Sequence, residues 1–147
     1  MAMDPEQYQS LTAFIEKWEK DGSQVKDVFE QLREKLHNKE NTTLTFNARP
    51  GVSYSLRASR VMDDNEDPQL YALIDVIDDD PENRWLSVCF YDGTVSDPDQ
   101  RGNLIPQGIL GDDGYCFDVN ENDEPSTLFL TQKIDEAFLN IKQPKIS

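Results

Sequence analysis

Two adjacent carboxylates are the first candidates for chemistry in this sequence. Asp112 and Asp113 lie in the segment GILGDDGYCFDV, residues 108–119, which also contains three glycines. Clustered carboxylate oxygens suit hard cations, so Asp112 and Asp113 are predicted metal ligands. A phosphate-binding loop is disfavoured, because no lysine follows the glycines and the two carboxylates would repel a phosphate. An EF-hand is excluded, since the run that begins at Asp118 lacks the required glycine and glutamate.

A second group of candidates surrounds Asp75. This carboxylate interrupts an apolar, strand-like run, so burial is expected to raise its pKa unless a cation pairs with it. We expect that cation to be Arg57 or Arg84. The simpler alternative is a solvent-facing Asp75 in an ordinary cross-strand ion pair. The predicted ligand-binding pocket consists of Arg57, Asp75, Trp85, Tyr91 and Tyr115.

Residues for nucleophilic or zinc-dependent catalysis are scarce. The single histidine, His37, is expected at the exposed end of a helix, where a cation meets the helix dipole favourably. Cys89 and Cys116 lie in apolar, strand-like runs and are predicted to be buried, reduced thiols. Two cysteines and one histidine do not match the usual ligand sets of zinc. No cofactor is predicted, and an enzyme is the less favoured interpretation.

The charge of the chain is unevenly distributed. It has 14 basic and 29 acidic residues, a net charge of −15 at pH 7. Lysines and arginines balance the acidic residues over 1–61, so residues 62–147 carry the entire excess. Such a surface repels phosphates and anionic lipids, which disfavours direct binding of nucleic acid or membrane. The acidic turns Asp67-Pro68, Asp80-Pro81 and Asp97-Pro98 would form one surface for a basic protein if they lay at the same end of the fold.

Three amphipathic helices are predicted from apolar residues at helical spacing. The first begins at Asp4-Pro5 and ends at Asp21-Gly22. The second is capped by Ser23, and the third begins at Pro125. The first two form a hairpin, and each helix has one apolar face that must be buried.

Five strands are predicted between the second and third helices. Residues 44–48 and 52–58 alternate apolar and polar side chains around the turn Arg49-Pro50-Gly51, which indicates a β-hairpin. The runs QLYALIDVI and RWLSVCFY supply two more strands, and residues 115–119 supply the fifth. Residues 92–114 are predicted to be a long irregular loop, a kind of segment that is often functional. The tail, residues 142–147, is expected to be frayed.

The sequence therefore predicts one α+β domain over residues 1–147, an antiparallel sheet of about five strands with an N-terminal helical hairpin and a C-terminal helix on one face. The absence of a signal-like N-terminus predicts a cytoplasmic protein. The favoured function is a non-catalytic interaction module whose acidic loops bind a basic protein, as an inhibitor, immunity protein or nucleic-acid mimic would. The alternative is a small-ligand-binding or metal-assisted enzyme with its pocket at residues 92–114. A homodimer formed through apolar residues of that loop is a third interpretation.

Overall fold

A computed structural model of the chain describes residues 3–62 and 67–141, and it confirms the predicted α+β class. The sheet has six strands, one more than expected. The predicted frayed tail and residues 63–66 of the acidic segment before β3 lie outside the described residues. The elements are α1 (Pro5–Lys17), α2 (Val25–His37), β1 (Thr42–Arg49), β2 (Ser53–Arg60), β3 (Gln69–Ile77), β4 (Trp85–Tyr91), β5 (Asn103–Ile109), β6 (Asp112–Val119) and α3 (Glu124–Asn140).

The connection between the first two helices differs from the prediction. Helix α1 ends at Lys17, four residues before Asp21. The side chain of Asp21 instead caps α2, because its carboxylate accepts hydrogen bonds from the backbone N–H groups of Val25 and Lys26 at 3.0 and 3.1 Å. This carboxylate satisfies two of the donors that a helix N-terminus leaves open, so Ser23 is not needed as the cap.

All neighbouring strands in the sheet are antiparallel, in the order β1-β2-β3-β4-β6-β5. The predicted turn between β1 and β2 is confirmed: Gly51 has a φ of 83°, and the Val52 N–H donates to the Arg49 carbonyl at 2.9 Å. The three helices pack on one face of the sheet, as predicted, and bury the main core against it. That core includes Leu11, Phe14, Trp18, Val28, Phe29, Leu32, Leu56, Ile74, Val88, Phe117 and Ile134.

The opposite face, here called the open face, holds a smaller apolar cluster and a disulfide. Cys89 of β4 and Cys116 of β6 lie directly opposite each other in the strand register, with their Cα atoms 4.1 Å apart, and are bonded. The prediction of reduced thiols is therefore wrong. Leu73 and the fully buried Ile109 complete the cluster around the two cysteines, and Tyr91 packs beside it.

The segment predicted to be a long irregular loop, residues 92–114, contains β5 and the start of β6. Leu110 and Gly111 both have positive φ values, 50° and 91°, which is the backbone of a two-residue hairpin turn between these strands. Apart from this turn, the part of the segment without strand structure is residues 92–102, and Ser96 ties it to α3 through hydrogen bonds with Lys133 and Glu136.

Within residues 3–62 and 67–141, no helix is both long enough and apolar enough to cross a membrane. His37 is the last residue of α2 and is exposed, as predicted.

Candidate functional site

A cavity of about 550 Å³ lies at the end of the sheet where β3 begins, β4 ends and β6 begins. Its volume falls within the range typical of ligand sites in proteins. We call it the acidic cavity, because three of its side chains are carboxylates. It is lined by Gln69, Tyr91, Asp92, Thr94, Asp112, Asp113 and Ile141.

The pairing of β4 with β6 brings the two acidic parts of the cavity together. Tyr91 lies opposite Gly114 in the register of these strands. Just beyond this pair, the Asp92 N–H donates to the Asp113 carbonyl at 3.0 Å. The hydroxyl of Thr94 donates to the Tyr91 carbonyl at 2.7 Å, which holds the chain after β4 in a tight turn. Residues that are about twenty positions apart in sequence thus become neighbours.

The electrostatics of the cavity favour a positive ligand. Asp92, Asp112 and Asp113 are exposed at its surface, and among the described residues its lining includes no lysine, arginine or histidine. Burial, and then the neighbouring Asp112 carboxylate, raise the pKa of Tyr91 above its usual value. The Tyr91 hydroxyl therefore stays protonated at neutral pH, and its ring offers a neutral, electron-rich face to a cation.

Three of the seven predicted site residues line this cavity: Tyr91, Asp112 and Asp113. The rest of the predicted ligand pocket does not assemble there. Arg57, Asp75 and Trp85 lie on the open face but do not line the cavity. Tyr115 lies on the other side of the sheet, since it pairs with Phe90 and packs against the helix-side core.

Tyr115 takes part instead in a polar cluster around Asp97. The Tyr115 hydroxyl donates to the Asp97 carboxylate at 2.5 Å, and the backbone N–H groups of Arg101 and Gly102 donate to the same carboxylate at 3.0 and 2.8 Å. These bonds hold the pKa of Asp97 below its usual value despite the opposing effect of desolvation. Asp97 therefore holds the chain before β5 and is not free to serve a ligand.

Asp75 occupies the middle of the open face, between Ser55 of β2 and Ser87 of β4. Burial raises its pKa above the usual value, as predicted, and a hydrogen bond with Ser55 and the nearby charges of Arg57 and Arg49 only partly oppose this effect. Its Oδ1 atom is buried and has no hydrogen-bond partner in the described part of the chain. Asp75 is thus a partly buried carboxylate with one oxygen left without a partner in the described residues.

The second predicted partner of Asp75, Arg84, is engaged elsewhere. Its Nε donates to Asp78 at 2.8 Å, and its guanidinium lies 5.2 to 5.5 Å from the ring centres of Phe14, Trp18 and Tyr54. The prediction that Arg84 serves Asp75 is wrong, because the side chain points to the helix side of the sheet.

The three acidic Asp-Pro turns do not form a single surface. Asp67 precedes β3 and Asp80 follows it, so the two lie at opposite ends of the sheet. Asp97 lies against β6 and the chain that leads to β5. Of the three, Asp67 lies in sequence two residues before Gln69, which lines the acidic cavity. Asp92 and Thr94 lie in the segment 92–114, where the sequence predicted the alternative pocket, although neither residue was singled out. Gln69 and Ile141 were missed, because they reach the cavity from the start of β3 and from the end of α3.

In the described part of the chain, the predicted metal site at Asp112 and Asp113 gains no third ligand. Within residues 3–62 and 67–141, no group of three or more His, Cys, Asp or Glu side chains is arranged to hold a metal ion. Asp113 also accepts a hydrogen bond from the Gln107 N–H at 3.1 Å, which gives this carboxylate a role in the β5–β6 hairpin.

Comparison of this chain with protein-family models, curated proteins and solved structures gave no match. The chemistry of the acidic cavity is therefore the basis for any statement on function.

Proposed function

We propose that this protein binds a basic protein partner, and that a lysine or arginine side chain of the partner enters the acidic cavity. One observation carries the proposal. Asp92, Asp112 and Asp113 surround a cavity whose described lining contains Tyr91 but no basic side chain to neutralise them. The charge of the chain, −15, extends this negative field beyond the cavity and would speed the approach of a basic protein.

The expected affinity follows from the exposure of the carboxylates. Each exposed ion pair contributes about 0–1 kcal/mol, because water and salt screen it. Contact of the cation with the Tyr91 ring adds about 0.5–2 kcal/mol. A single lysine would therefore bind weakly, whereas a partner that presents several basic side chains would bind with higher affinity. Affinity should fall steeply as the ionic strength rises to physiological values.

The alternative, a small-ligand-binding or metal-assisted enzyme, has less support. Its predicted pocket required residues that lie on opposite faces of the sheet, Tyr91 on one and Tyr115 on the other. The cavity lining described above also lacks a histidine, cysteine or lysine to serve as a nucleophile. Binding of a cationic group requires only the carboxylates and the aromatic ring that are present.

A fluorescent lysine-rich peptide is a suitable probe, since the natural partner is not identified. We compare the Asp112→Asn/Asp113→Asn variant with Asp79→Asn/Asp80→Asn, which removes the same charge from an adjacent, exposed pair at the opposite end of the sheet. Asparagine keeps the side-chain oxygen that accepts the hydrogen bond from Gln107 in the first variant.

The cavity variant should bind the peptide about tenfold more weakly at low salt, equivalent to about 1.4 kcal/mol shared between two exposed charges. The control variant should lose about twofold or less, because its charges act only at long range. Equal losses in the two variants would show that the peptide responds to overall charge, and the cavity would then have no specific role.

A further inference from the structure

The disulfide lies next to the acidic cavity on the same two strands. Cys89 precedes Tyr91 by two residues on β4, and Cys116 follows Gly114 by two residues on β6. The covalent bond therefore holds β4 to β6 one pleat away from the Tyr91–Gly114 pair. Asp92, Asp112 and Asp113 all lie within four residues of a bonded cysteine.

Ile109 is the side chain of β5 that packs in the cluster around this disulfide. Ile109 is fully buried in the open-face cluster with both cysteines, which are themselves only 4% and 5% exposed. Ile109 ends β5 and pairs with Asp112 across the hairpin turn. Ile109, which packs in the cluster with both cysteines, and Asp112, the first carboxylate of the cavity, thus belong to one hairpin.

The rest of β5 is weakly held. It is an edge strand, and Leu104 and Ile105 are 51% and 41% exposed. Ile109 is the one residue of this described strand that is buried. A segment with so little buried apolar surface opens at a low free-energy cost, and opening removes Ile109 from the cluster around the disulfide.

We propose that Cys89–Cys116 is a thiol–disulfide exchange site that controls the acidic cavity: reduction by a dithiol loosens the β5–β6 hairpin and weakens binding of the cationic partner. The effect on binding rests on the proposed function above. One thiolate of the dithiol attacks a protein sulfur and breaks the S–S bond, and its second thiol resolves the mixed disulfide. The protein gains two electrons and two protons as two thiols, and the dithiol becomes a cyclic disulfide.

The two redox forms correspond to different cellular compartments. Disulfides persist in oxidising compartments and are generally reduced in the cytosol. In the oxidised form the covalent bond adds to the β4–β6 hydrogen bonds and core packing that keep Asp92 beside Asp113, and in the reduced form only those non-covalent contacts remain. The cavity would therefore be ready for its partner only where the disulfide is retained.

Shielding is tested by the rate of reduction with dithiothreitol, followed as the release of two thiols. Ile109→Ala should raise the rate of reduction about tenfold or more, because truncating a buried isoleucine removes its packing against the cysteines and leaves a cavity beside them. Leu104→Ala, in the same strand but half exposed, should change the rate about twofold or less. Equal rates in the two variants would overturn the shielding role of Ile109.

Control of the cavity is tested by amide hydrogen exchange and by binding of the lysine-rich peptide. Full reduction should speed exchange at residues 91–94 and 112–114 and weaken peptide binding about threefold or more, since the competent cavity is then less populated. The Cys89→Ala/Cys116→Ala variant should behave like the reduced protein and should not respond to dithiothreitol.

The two proposals fail in different ways. If the oxidised protein does not bind the peptide, the proposed function fails, while hydrogen exchange still decides whether the disulfide orders the cavity. Unchanged exchange after two thiols have been released overturns the redox proposal. Complete unfolding on reduction, measured by circular dichroism, also overturns it, because the effect would not be local to the hairpin.

Discussion

The ion pair between Asp78 and Arg84 gives the sharpest test of the packing described above. Both side chains are largely buried, 4% and 13% exposed. The Asp78 carboxylate accepts one hydrogen bond from Arg84 and another from the Gly51 N–H, each at 2.8 Å. It therefore joins the turn before β2 to the turn before β4.

Replacement of Asp78 by asparagine keeps the size of the side chain and an oxygen for Gly51, but removes the negative charge. Loss of one partner of a buried ion pair leaves the other charge uncompensated and costs about 3–5 kcal/mol. Because Arg84 retains some exposure, we expect Asp78→Asn to lower the free energy of unfolding by about 3 kcal/mol, the lower end of this range. The matched control is Glu82→Gln, which breaks the exposed pair with Lys20 (64% and 69% exposed) in the same turn and should cost about 0.5 kcal/mol or less.

Urea unfolding at pH 7, analysed with a common m-value, measures both variants. A further substitution of Arg84 by methionine in the Asp78→Asn background should recover part of the loss, since the unpaired buried cation is then removed. The reasoning is refuted if Asp78→Asn lowers the free energy of unfolding no more than Glu82→Gln does. It is also refuted if adding Arg84→Met destabilises Asp78→Asn as much as it destabilises the natural protein.

Two other substitutions probe the open face. Burial raises the pKa of Asp75 above its usual value of 3.8, because the folded protein favours the protonated carboxyl group. This preference contributes to the free energy of unfolding in full below pH 3.8, and the contribution is lost as the pH rises through the folded-state pKa. Asp75→Asn should therefore gain stability relative to the natural protein between pH 4 and pH 7 in urea titrations, and a pH-independent difference would contradict this assignment. The disulfide joins residues 27 apart, and its removal in Cys89→Ala/Cys116→Ala should lower the free energy of unfolding by about 3.5 kcal/mol. Denaturant unfolding of both forms checks this value, and equal stability of the oxidised protein and the variant would show that the crosslink adds none.

Local patterns in the sequence predict most of this fold. Alternation and turn residues correctly place β1, β2 and the turn at Gly51. Strand β5 was missed because it is an edge strand, in which exposure hides the alternation and Pro106 suggests a loop. The helix end at Lys17 was also missed, because the Asp21 side chain caps the following helix and does not continue the first.

The candidate site was only partly predictable, for a topological reason. Tyr91 and Asp112 come together because β4 pairs with β6, and the hairpin that places β5 outside β6 cannot be read from local pattern. The same pairing brings Cys89 opposite Cys116. With this register, strand alternation places Tyr91 and Tyr115 on opposite faces of the sheet, since Phe90, and not Tyr91, is opposite Tyr115.

The most direct test of the acidic cavity is a nuclear magnetic resonance titration of the ¹⁵N-labelled, oxidised protein with the lysine-rich peptide at low salt. We expect amide shift changes to concentrate at residues 91–94 and 112–114, and the same changes in Asp112→Asn/Asp113→Asn to require about tenfold more peptide. Shift changes centred on residues 78–83 at the opposite end of the sheet, or spread evenly over the acidic surface, would contradict this expectation.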